Sequence, residues 1–446
     1  MLPLRKFYLF LLFSVILVPI IFSLFILFFQ APVEFFKKRI IKKAKRKRDK
    51  FKNLLVIGIS GSYGKSSVKE FLSTILSEKF NVLKTEKNIN AEIGIAQTIL
   101  NKLNENHQVF VCEIGAYERG KIKQVCGFVK PKIGILTGIN SQHLSTFGSL
   151  ENIIKAKFEI IESLPENGVG ILNWDNEYIK FKVQDSKFKV KVKSLKFYSV
   201  KDRLNVWARN VKVERGRISF KVFSRDGDFA DFKVNVLGGH NVLNVLGAVA
   251  AAKELGMNLN EISNACRKIK IEQGAIKLLK GINGLNIIDS SYSANPEGVI
   301  ADLDYLNLWQ DPEGVRRYYG GPYGASPKGE PSASYGARKK IVIMRCLIEL
   351  GKSAKDVHKK IGKKISEVCD LAIITTKDYF KELKDSAIEN GMNPESILLI
   401  KDAKQIAEKI KQFTNPGDTI LLEGKTKKQL IDLLIYERNN YERNNR

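Results

Sequence analysis

The stretch from Leu54 to Leu76 constrains the fold more than any other part of the chain. It begins as an apolar run typical of a buried strand, passes through a glycine-containing turn and continues as an amphipathic helix. The apolar helix positions have the i, i+3, i+4, i+7, i+8 spacing of a helix that packs on a sheet. They are Val68, Phe71, Leu72, Ile75 and Leu76. This order of elements predicts an α/β domain with a ligand site at the turn.

The turn has the composition of a phosphate-binding loop, Gly61-Ser62-Tyr63-Gly64-Lys65-Ser66-Ser67. Its glycines let successive N–H groups point inward, Lys65 can reach terminal phosphate oxygens, and the Ser66 hydroxyl can hold Mg²⁺. The helix that follows directs its positive end at the same anion. Because Ile59 stands at the first glycine of the strict motif, this is a shorter variant, and a chance Gly-Lys-Ser turn is the alternative. The turn predicts a nucleoside triphosphate site.

The N-terminal region combines an apolar segment with a basic one. Phe7–Phe29 holds 23 residues without a charge, enough to cross a bilayer, and Lys37–Lys52 holds eleven Lys or Arg against Asp49. We therefore expect a membrane anchor at 1–36 and a polybasic linker at 37–53, with the catalytic part of the chain cytoplasmic by the positive-inside rule. A nucleic-acid arm is the alternative for the basic run. Its position beside the apolar segment favours anionic lipid headgroups, and no nucleic-acid-binding module follows, so we expect no nucleic-acid partner.

The rest of the chain predicts two α/β domains. Residues 54–272 alternate strand-like and helical runs, as in a P-loop-type nucleotide-binding domain with a parallel sheet. From about 186 to 237 the period becomes two, which predicts an antiparallel β elaboration. Residues 273–446 predict a Rossmann-like α/β domain with strands at GLNIID, KKIVIM, DLAIIT and DTILLE. Residues 310–339, whose one aliphatic residue is Val315, predict a flexible insertion, although their Tyr and Arg could instead contact a ligand.

Two polar side chains follow neighbouring predicted strands. Glu113 ends the run Val109–Cys112, and His143 follows the run Ile133–Leu136. Ligands of open α/β sheets bind at the carboxyl ends of the strands, so both residues are expected near the phosphate loop. Each alone could be an ordinary loop residue. Together with Ser66 they offer oxygen and imidazole donors that could hold Mg²⁺ against a polyphosphate.

Lys157 lies on the apolar stripe of a predicted helix from about Leu150 to Leu164. Its spacing from Ile153, Ile154 and Ile161 turns it inward. Burial disfavours the ammonium form, so the amine could be neutral and nucleophilic, even towards CO₂. A side chain that extends from the edge of the stripe to water is the alternative.

These motifs, in this order, resemble those of the Mur ligase family, ATP-dependent amide-forming ligases of peptidoglycan synthesis. The resemblance covers about residues 54 to 435 and is greatest to the members that add D-alanyl-D-alanine to a cell-wall peptide precursor. Further segments that carry it are Asn88–Gly94, Glu113–Ala116, His143–Ser149, Ala156–Glu159, Gly239–Asn244, Asp289–Pro296 and Leu347–Gly351.

The resemblance implies ATP and Mg²⁺ as cofactors and a role for each metal-site residue. Ser66 and Glu113 would bind the Mg²⁺ that bridges the β- and γ-phosphates. Glu113, His143 and a carbamylated Lys157 would bind a second Mg²⁺, while Lys65 contacts the phosphates. These four side chains are the implied catalytic residues Lys65, Glu113, His143 and Lys157.

The resemblance also implies that Asp289, Tyr292 and Asn295 approach ATP from the C-terminal domain. The chain departs from the family pattern at Ala275, where an arginine is usual, and at its front, where a membrane segment stands in place of a UDP-sugar-binding domain. Three expectations stay open: a tethered ligase that adds D-Ala-D-Ala or a comparable amine, the same chemistry on a lipid-linked or other carboxylate, and a membrane scaffold that binds ATP without turnover.

Overall fold

The computed structural model describes residues 2–86, 89–192, 194–270, 276–291, 295–309, 315–318 and 338–435. Its helices are α1 Leu2–Lys50, α2 Lys65–Leu76, α3 Glu92–Lys102, α4 Lys121–Val129, α5 Leu144–Phe147, α6 Leu150–Glu162, α7 Glu177–Gln184, α8 Asn241–Glu254, α9 Leu259–Cys266, α10 Pro296–Leu306, α11 Ala354–Val368, α12 Phe380–Glu389, α13 Ala403–Phe413 and α14 Lys428–Leu434. Its strands are β1 Leu55–Ser60, β2 Val82–Lys84, β3 Val109–Glu113, β4 Ile133–Leu136, β5 Val169–Asn173, β6 Ser194–Ser199, β7 Val206–Glu214, β8 Ile218–Ser224, β9 Phe229–Val234, β10 Lys277–Lys280, β11 Asn286–Ser290, β12 Val315–Tyr318, β13 Lys340–Met344, β14 Leu371–Ile374, β15 Ile397–Leu399 and β16 Thr419–Glu423.

The first sheet has the order β2-β3-β1-β4-β5-β6-β7-β8-β9. Strand β1 lies between β3 and β4 and is parallel to both, with Ile59 opposite Glu113 and Ser60 opposite Leu136. The turn after β1 and the chain segments after β3 and β4 therefore leave the same edge of the sheet. This edge is where parallel α/β sheets bind ligands.

Helices cover both faces of this sheet. The apolar stripe of α2 packs on one face with α8 and α9, and its members are fully buried as the spacing predicts. The other face is covered by α3, α4 and α6. Fully buried apolar side chains on both faces hold the edge of the sheet in a fixed position.

The antiparallel part begins later along the chain than the sequence pattern predicts. Phe188–Val192 is not a strand; Phe188 instead packs its ring edge-on against Phe158 on α6, with ring centroids 5.4 Å apart. Strand β6 is parallel to β5, and the antiparallel part of this sheet starts with the consecutive pairs β7–β8 and β8–β9. Alternation of apolar and polar residues therefore did not distinguish a true strand from a segment that packs on a helix.

Residues 315–318 correct part of the predicted flexible insertion 310–339. They form β12, which pairs antiparallel with residues 211–214 of β7. Strand β6 pairs with the same edge of β7 only at Val206 and Trp207, so the second half of that edge has backbone groups available for a further strand. Residues 310–314 and 319–337 of the predicted insertion lie outside the described residues.

The second sheet has the order β10-β11-β16-β13-β14-β15, parallel except for the antiparallel edge strand β10. The four strands predicted from the sequence, β11, β13, β14 and β16, form its centre. Strands β10 and β15 are short edge strands that the pattern does not reveal. The arrangement is that of a second α/β sheet, as expected for the C-terminal half.

Helix α1 continues without a break to Lys50. The sequence predicted a linker at 37–53, but residues 37–50 belong to this helix. Ala44 is fully buried, Lys47 Nζ donates to Leu100 O at 2.8 Å, and Arg48 Nε donates to Val129 O at 2.9 Å. Lys and Arg are good helix formers and are favourable near a helix C-terminus, which explains a helix in so basic a segment. The last turns of α1 are thus part of the body of the protein.

The first part of α1 has a different environment. Its apolar side chains from Phe7 to Phe29 are mostly exposed. In the part of the chain that the structure describes, α1 is the one helix long and apolar enough to cross a membrane, by length and composition alone.

Candidate functional site

The phosphate loop is fixed to the end of β4. The Ser62 N–H donates to Gly138 O at 2.7 Å, and the Thr137 hydroxyl donates to the carbonyl of Tyr63. The Tyr63 ring covers Gly138, where an added Cβ would lie 2.3 Å from the ring. The loop therefore cannot shift without moving the neighbouring strand.

Both glycines of the loop are required by their surroundings. A Cβ at Gly61 would lie 2.2 Å from Thr137 Oγ1, and a Cβ at Gly64 would lie 2.5 Å from Asn244 Oδ1. Gly64 also has a φ of 77°, in the left-handed region that favours glycine. Of the serines that follow, Ser66 is exposed and Ser67 is buried. The Ser66 hydroxyl is thus accessible at the start of α2.

Lys65 lies at the centre of the predicted catalytic set. Its Nζ donates to Gly61 O at 2.8 Å and to Ser62 O at 3.3 Å. Desolvation lowers the pKa of Lys65, and the nearby Glu113 carboxylate opposes this shift. The ammonium is therefore hydrogen-bonded to the loop that would hold phosphates and lies within electrostatic reach of the carboxylate at the end of β3.

Glu113 is buried, with 2% of its surface exposed. Asn90 Nδ2 donates to its Oε1 at 3.1 Å, and Lys69 Nζ is 3.4 Å from its Oε2. Oε2 has no hydrogen-bond partner. Lys69 is itself fully buried, with a second ion pair to Glu70 Oε1 at 3.3 Å. An anion and a cation are thus buried together beside the phosphate loop, and one carboxylate oxygen keeps its acceptor capacity.

Lys157 is buried in α6, as its place on the apolar stripe predicts, with 3% of its surface exposed. Nζ donates to Ala116 O at 3.3 Å and lies 5.8 Å from the centre of the Phe147 ring. Desolvation and the nearby charge of Lys65 lower the pKa of Lys157 to about 7. A large fraction of this amine is therefore neutral at neutral pH and can react as a nucleophile.

His143 lies where the chain enters α5, with a φ of 64°. Its ring meets that of Tyr117 edge-on, with centroids 4.8 Å apart, and its Nδ1 is 2.5 Å from Glu349 Oε2 of the second α/β unit. Burial lowers the pKa of His143, the Glu349 carboxylate opposes this, and the charges of Lys157 and Lys65 lower it further. The ring is thus held within electrostatic range of both lysines.

The structure brings the four predicted catalytic side chains into one region. Lys65 interacts electrostatically with Glu113, His143 and Lys157. Among the described residues, no three His, Cys, Asp or Glu side chains form a metal site by themselves. The predicted magnesium site therefore requires that Lys157 be carbamylated, since only the carbamate offers an oxygen ligand. The donors fit Mg²⁺ in kind, since the buried Oε2 of Glu113 lacks a hydrogen bond and the amine of Lys157 has a pKa suited to carbamylation.

A cavity of about 440 Å³ lies between the two α/β units, next to the phosphate loop. Tyr63, Gly64 and Ser67 line it from the loop, and Asn295 lines it from the start of α10. Asn295 also accepts from Gly298 N at 3.0 Å as the cap of α10. The loop and one predicted residue of the C-terminal domain thus face the same space, which has the size of a ligand pocket.

The other C-terminal residues that were expected to approach ATP are not placed at the cavity by the described residues. The Asp289 carboxylate accepts from Ser291 N at 3.0 Å, and Asp289 is not among the residues that line the cavity. Tyr292 and Ala275 lie outside the described residues. The structure thus gives a ligand-facing position for Asn295 but not for Asp289.

Two residues of this region were missed by sequence reasoning. Lys69 lies one position after Val68 and three before Leu72, on the buried stripe of α2, and the argument used for Lys157 would have found it. Glu349 lies in the segment Leu347–Gly351 that carries the family resemblance, but its pairing was not predicted, because its partner His143 lies 206 residues away. Pairing across domains is not encoded in local spacing.

The chain is similar to known proteins over most of its length. The family model described as Mur ligase middle domain matches residues 59–252. The UDP-N-acetylmuramoyl-tripeptide--D-alanyl-D-alanine ligase of Buchnera aphidicola is 30% identical over 315 residues, which are 70% of this chain and 61% of that protein. The ligase of the same name from Bacillus subtilis is 25% identical over 379 residues, covering 85% and 75% of the two chains. The chain thus spans about three fifths of the Buchnera relative.

Among solved structures, the MurF ligase of Thermotoga maritima in complex with ADP is similar, with a TM-score of 0.71 and 22% identity. The match covers 89% of this chain and 83% of that chain. At this identity the likeness shows a common fold.

The buried ion pair of Lys69 predicts a stability effect. Lys69→Met removes the cation and leaves Glu113 buried without its counterion, so the free energy of unfolding should fall by about 3–5 kcal/mol. Lys84→Met is the matched control, because Lys84 is 40% exposed and pairs with the same Glu70 that Lys69 contacts. That variant should lose about 1 kcal/mol or less. Urea unfolding of both variants checks this, and equal losses would show that Lys69 does not neutralise Glu113.

Proposed function

We propose that this chain, a member of the Mur ligase family, is an ATP-dependent ligase that joins a carboxylate to an amine. The carboxylate would attack the γ-phosphate of ATP, giving an acyl phosphate and ADP, and the amine would then displace phosphate to form the amide. The observation that supports this most strongly is that Lys65, which is hydrogen-bonded to the phosphate loop, lies within electrostatic reach of Glu113, His143 and Lys157.

The phosphate loop would bind and orient ATP. Its backbone N–H groups and the N-terminus of α2 favour a polyphosphate, and Lys65 needs only to leave the carbonyls of Gly61 and Ser62 to reach the phosphates. Phosphoryl transfer depends mainly on positioning and on neutralisation of charge, which this cation provides. Asn295 would approach the nucleotide from the other side of the cavity.

Mg²⁺ fits the oxygen donors of this region. Ser66 and Glu113 would hold one ion. Glu113, His143 and carbamylated Lys157 would hold a second ion. When bound, both ions would neutralise the negative charge of the phosphates. The ion pair with Lys69 would hold the Glu113 carboxylate in place, and its Oε2 has no hydrogen-bond partner that a metal ion would have to displace. The neutral Lys157 amine would add CO₂ and release a proton, which gives an anionic oxygen donor that attracts Lys65.

The two α/β units would close over the substrates. Asn140 Nδ2 donates to the carboxylate of Glu297, and Tyr305 OH donates to Arg215 O, so polar contacts already join the units around the cavity. Closure excludes water from the acyl phosphate, which would otherwise hydrolyse. The domain limits 54–272 and 273–446 that we propose place these contacts at the boundary between the two units.

The relatives' names suggest the substrates. We propose D-alanyl-D-alanine as the amine and the peptide of a peptidoglycan precursor as the carboxylate, as named for the Buchnera and Bacillus ligases. A lipid-linked carboxylate is the second candidate, because the apolar part of α1 would raise the local concentration of the enzyme at a membrane.

We further propose that α1 anchors the chain as a single-pass membrane protein with its catalytic domains in the cytoplasm. Phe7–Phe29 would lie in the hydrocarbon layer, because its apolar side chains are exposed on a helix long enough to span it. The exposed cations of the following turns, such as Arg39 and Lys43, would contact anionic headgroups.

The ligase proposal predicts dependence on both co-substrates. The full chain in detergent should release phosphate and ADP from ATP only when a UDP-linked or lipid-linked cell-wall peptide and D-Ala-D-Ala are both present. Lys65→Ala should lower turnover by about 10²–10³-fold, since it removes one donor that stabilises the transferring phosphoryl group. Coupled phosphate release checks this with each carboxylate. No release with any pair would favour an ATP-binding scaffold.

Lys157 should carry a carbamate. With ¹³C-bicarbonate, a carbamate carbonyl signal is expected by NMR and should fall as pH drops through about 7, because the protonated amine cannot react. Lys157→Ala should lose the signal and turnover, and a small added carboxylate should partly restore turnover. Lys155→Ala is the control, as Lys155 lies on the same helix but is 45% exposed. A carbamate signal that persists in Lys157→Ala would show that Lys157 is not the carbamylated residue and is not a ligand of the metal site.

The membrane proposal predicts that the full chain floats with liposomes and stays bound at high salt. Salt screens the basic residues of α1 but not an apolar span. The double variant Leu17→Arg/Ile21→Arg should lose the salt-resistant binding, since each charge costs about 2.5–3.5 kcal/mol near the bilayer centre. Complete release of the unmodified chain by salt would show surface binding instead of a span.

A further inference from the structure

One residue of the second α/β unit, Glu349, contacts the segment that carries the predicted metal ligand His143 twice. The Glu349 carboxylate lies 2.5 Å from His143 Nδ1, and the Glu349 carbonyl accepts from Ser145 N at 3.4 Å. Both the side chain and the backbone of Glu349 therefore meet the segment that carries His143.

The backbone at this contact is strained on both sides. His143 and Glu349 each have a φ of 64°, in the left-handed region that non-glycine residues seldom adopt. The surrounding chain is closely packed, since a Cβ on Gly351 would lie 3.4 Å from Leu144 Cγ. Such conformations are unfavourable and persist where neighbouring contacts hold them.

Stability alone does not explain the pair. The His143 side chain is 22% exposed and that of Glu349 is 46% exposed. Ion pairs with this much solvent contact contribute little to stability, less than the strain of the two residues costs. Strain that the local contacts do not offset is typical of functional sites.

The chemistry of imidazole gives the contact a role. A carboxylate that accepts a hydrogen bond from Nδ1–H fixes the tautomer and the ring orientation, and leaves Nε2 unprotonated as a metal ligand. Tyr117, whose ring centroid is 4.8 Å from that of His143, further limits rotation of the imidazole.

We propose that Glu349 is a positioning residue that couples domain closure to the metal site, by holding His143 in the tautomer that leaves Nε2 free to bind the metal. In the closed arrangement the metal site has all its ligands oriented. When the domains separate, His143 loses its partner and its affinity for the metal falls. The ligand role of His143 in this proposal rests on the proposed function.

Three variants of the full chain in detergent test the proposal. Glu349→Ala removes the carboxylate, whereas Glu349→Gln keeps an amide oxygen that can still accept from Nδ1–H. Glu367→Gln is the matched control, because Glu367 is 48% exposed, belongs to the same α/β unit and pairs with Lys364. Since the chain has four histidines, selective ¹⁵N-histidine labelling gives few imidazole signals to assign.

The first readout is the tautomer of His143 by ¹⁵N NMR without metal. The unmodified chain and Glu367→Gln should show the Nδ1–H form, and Glu349→Ala a mixture. The second readout is Mn²⁺ binding by electron paramagnetic resonance in the presence of ADP. Glu349→Ala should weaken it about 10–100-fold, with partial recovery in Glu349→Gln.

A lower melting temperature of Glu349→Ala with the tautomer and Mn²⁺ affinity unchanged would overturn the proposal and leave Glu349 a structural contact. Failure of the proposed function is a separate result. It would appear as an absence of phosphate release in the unmodified chain, while both readouts on Glu349 could still respond. Where turnover is present, Glu349→Ala should lower kcat and raise the Mg²⁺ requirement, with a small effect on the KM for the amine.

Discussion

The structure of the site depends on how one buried carboxylate, Glu113, is balanced by cations. Isolated burial of a charge costs several kcal/mol or more, so a buried carboxylate persists only with partners. Lys69 provides the permanent countercharge at 3.4 Å, and Lys65 contributes from the phosphate loop. Lys157 lies within electrostatic reach of Lys65, and burial together with the repulsion from Lys65 lowers its pKa and favours its neutral form. The positive charge that disfavours protonation of Lys157 would also favour the binding of an anionic nucleotide. It would likewise favour conversion of the Lys157 amine into an anionic carbamate.

Much of this arrangement could be predicted from the sequence, because it follows from local periodicity. The phosphate loop, the burial of α2 and the inward direction of Lys157 all follow from residue spacing, and the edge shared by Glu113 and the loop follows from parallel strands. Lys69 could have been predicted by the same reasoning. What spacing cannot reveal is which residue of one domain meets which residue of another, as for Glu349 and His143.

The incorrect predictions have a common physical cause. Phe188–Val192 alternates like a strand but packs on α6, and residues 315–318 look like a loop but pair with a partly free edge of β7. In both cases the outcome was decided by neighbours distant in sequence, which override local preference. The basic turns of α1 show the same effect, since the acceptors at Leu100 and Val129 hold them against the body.

This docking of α1 gives the proposed anchor a mechanical consequence. A flexible linker would let the catalytic domains rotate freely below a bilayer, whereas a continuous helix with Ala44 buried and Arg48 bonded to α4 would transmit the orientation of the proposed span to the domain. The domain that carries the phosphate loop would then be fixed relative to the membrane, and the C-terminal domain would be the part that moves. Because Glu349 lies on that moving part, closure towards the membrane-fixed domain is the step that would complete the orientation of His143.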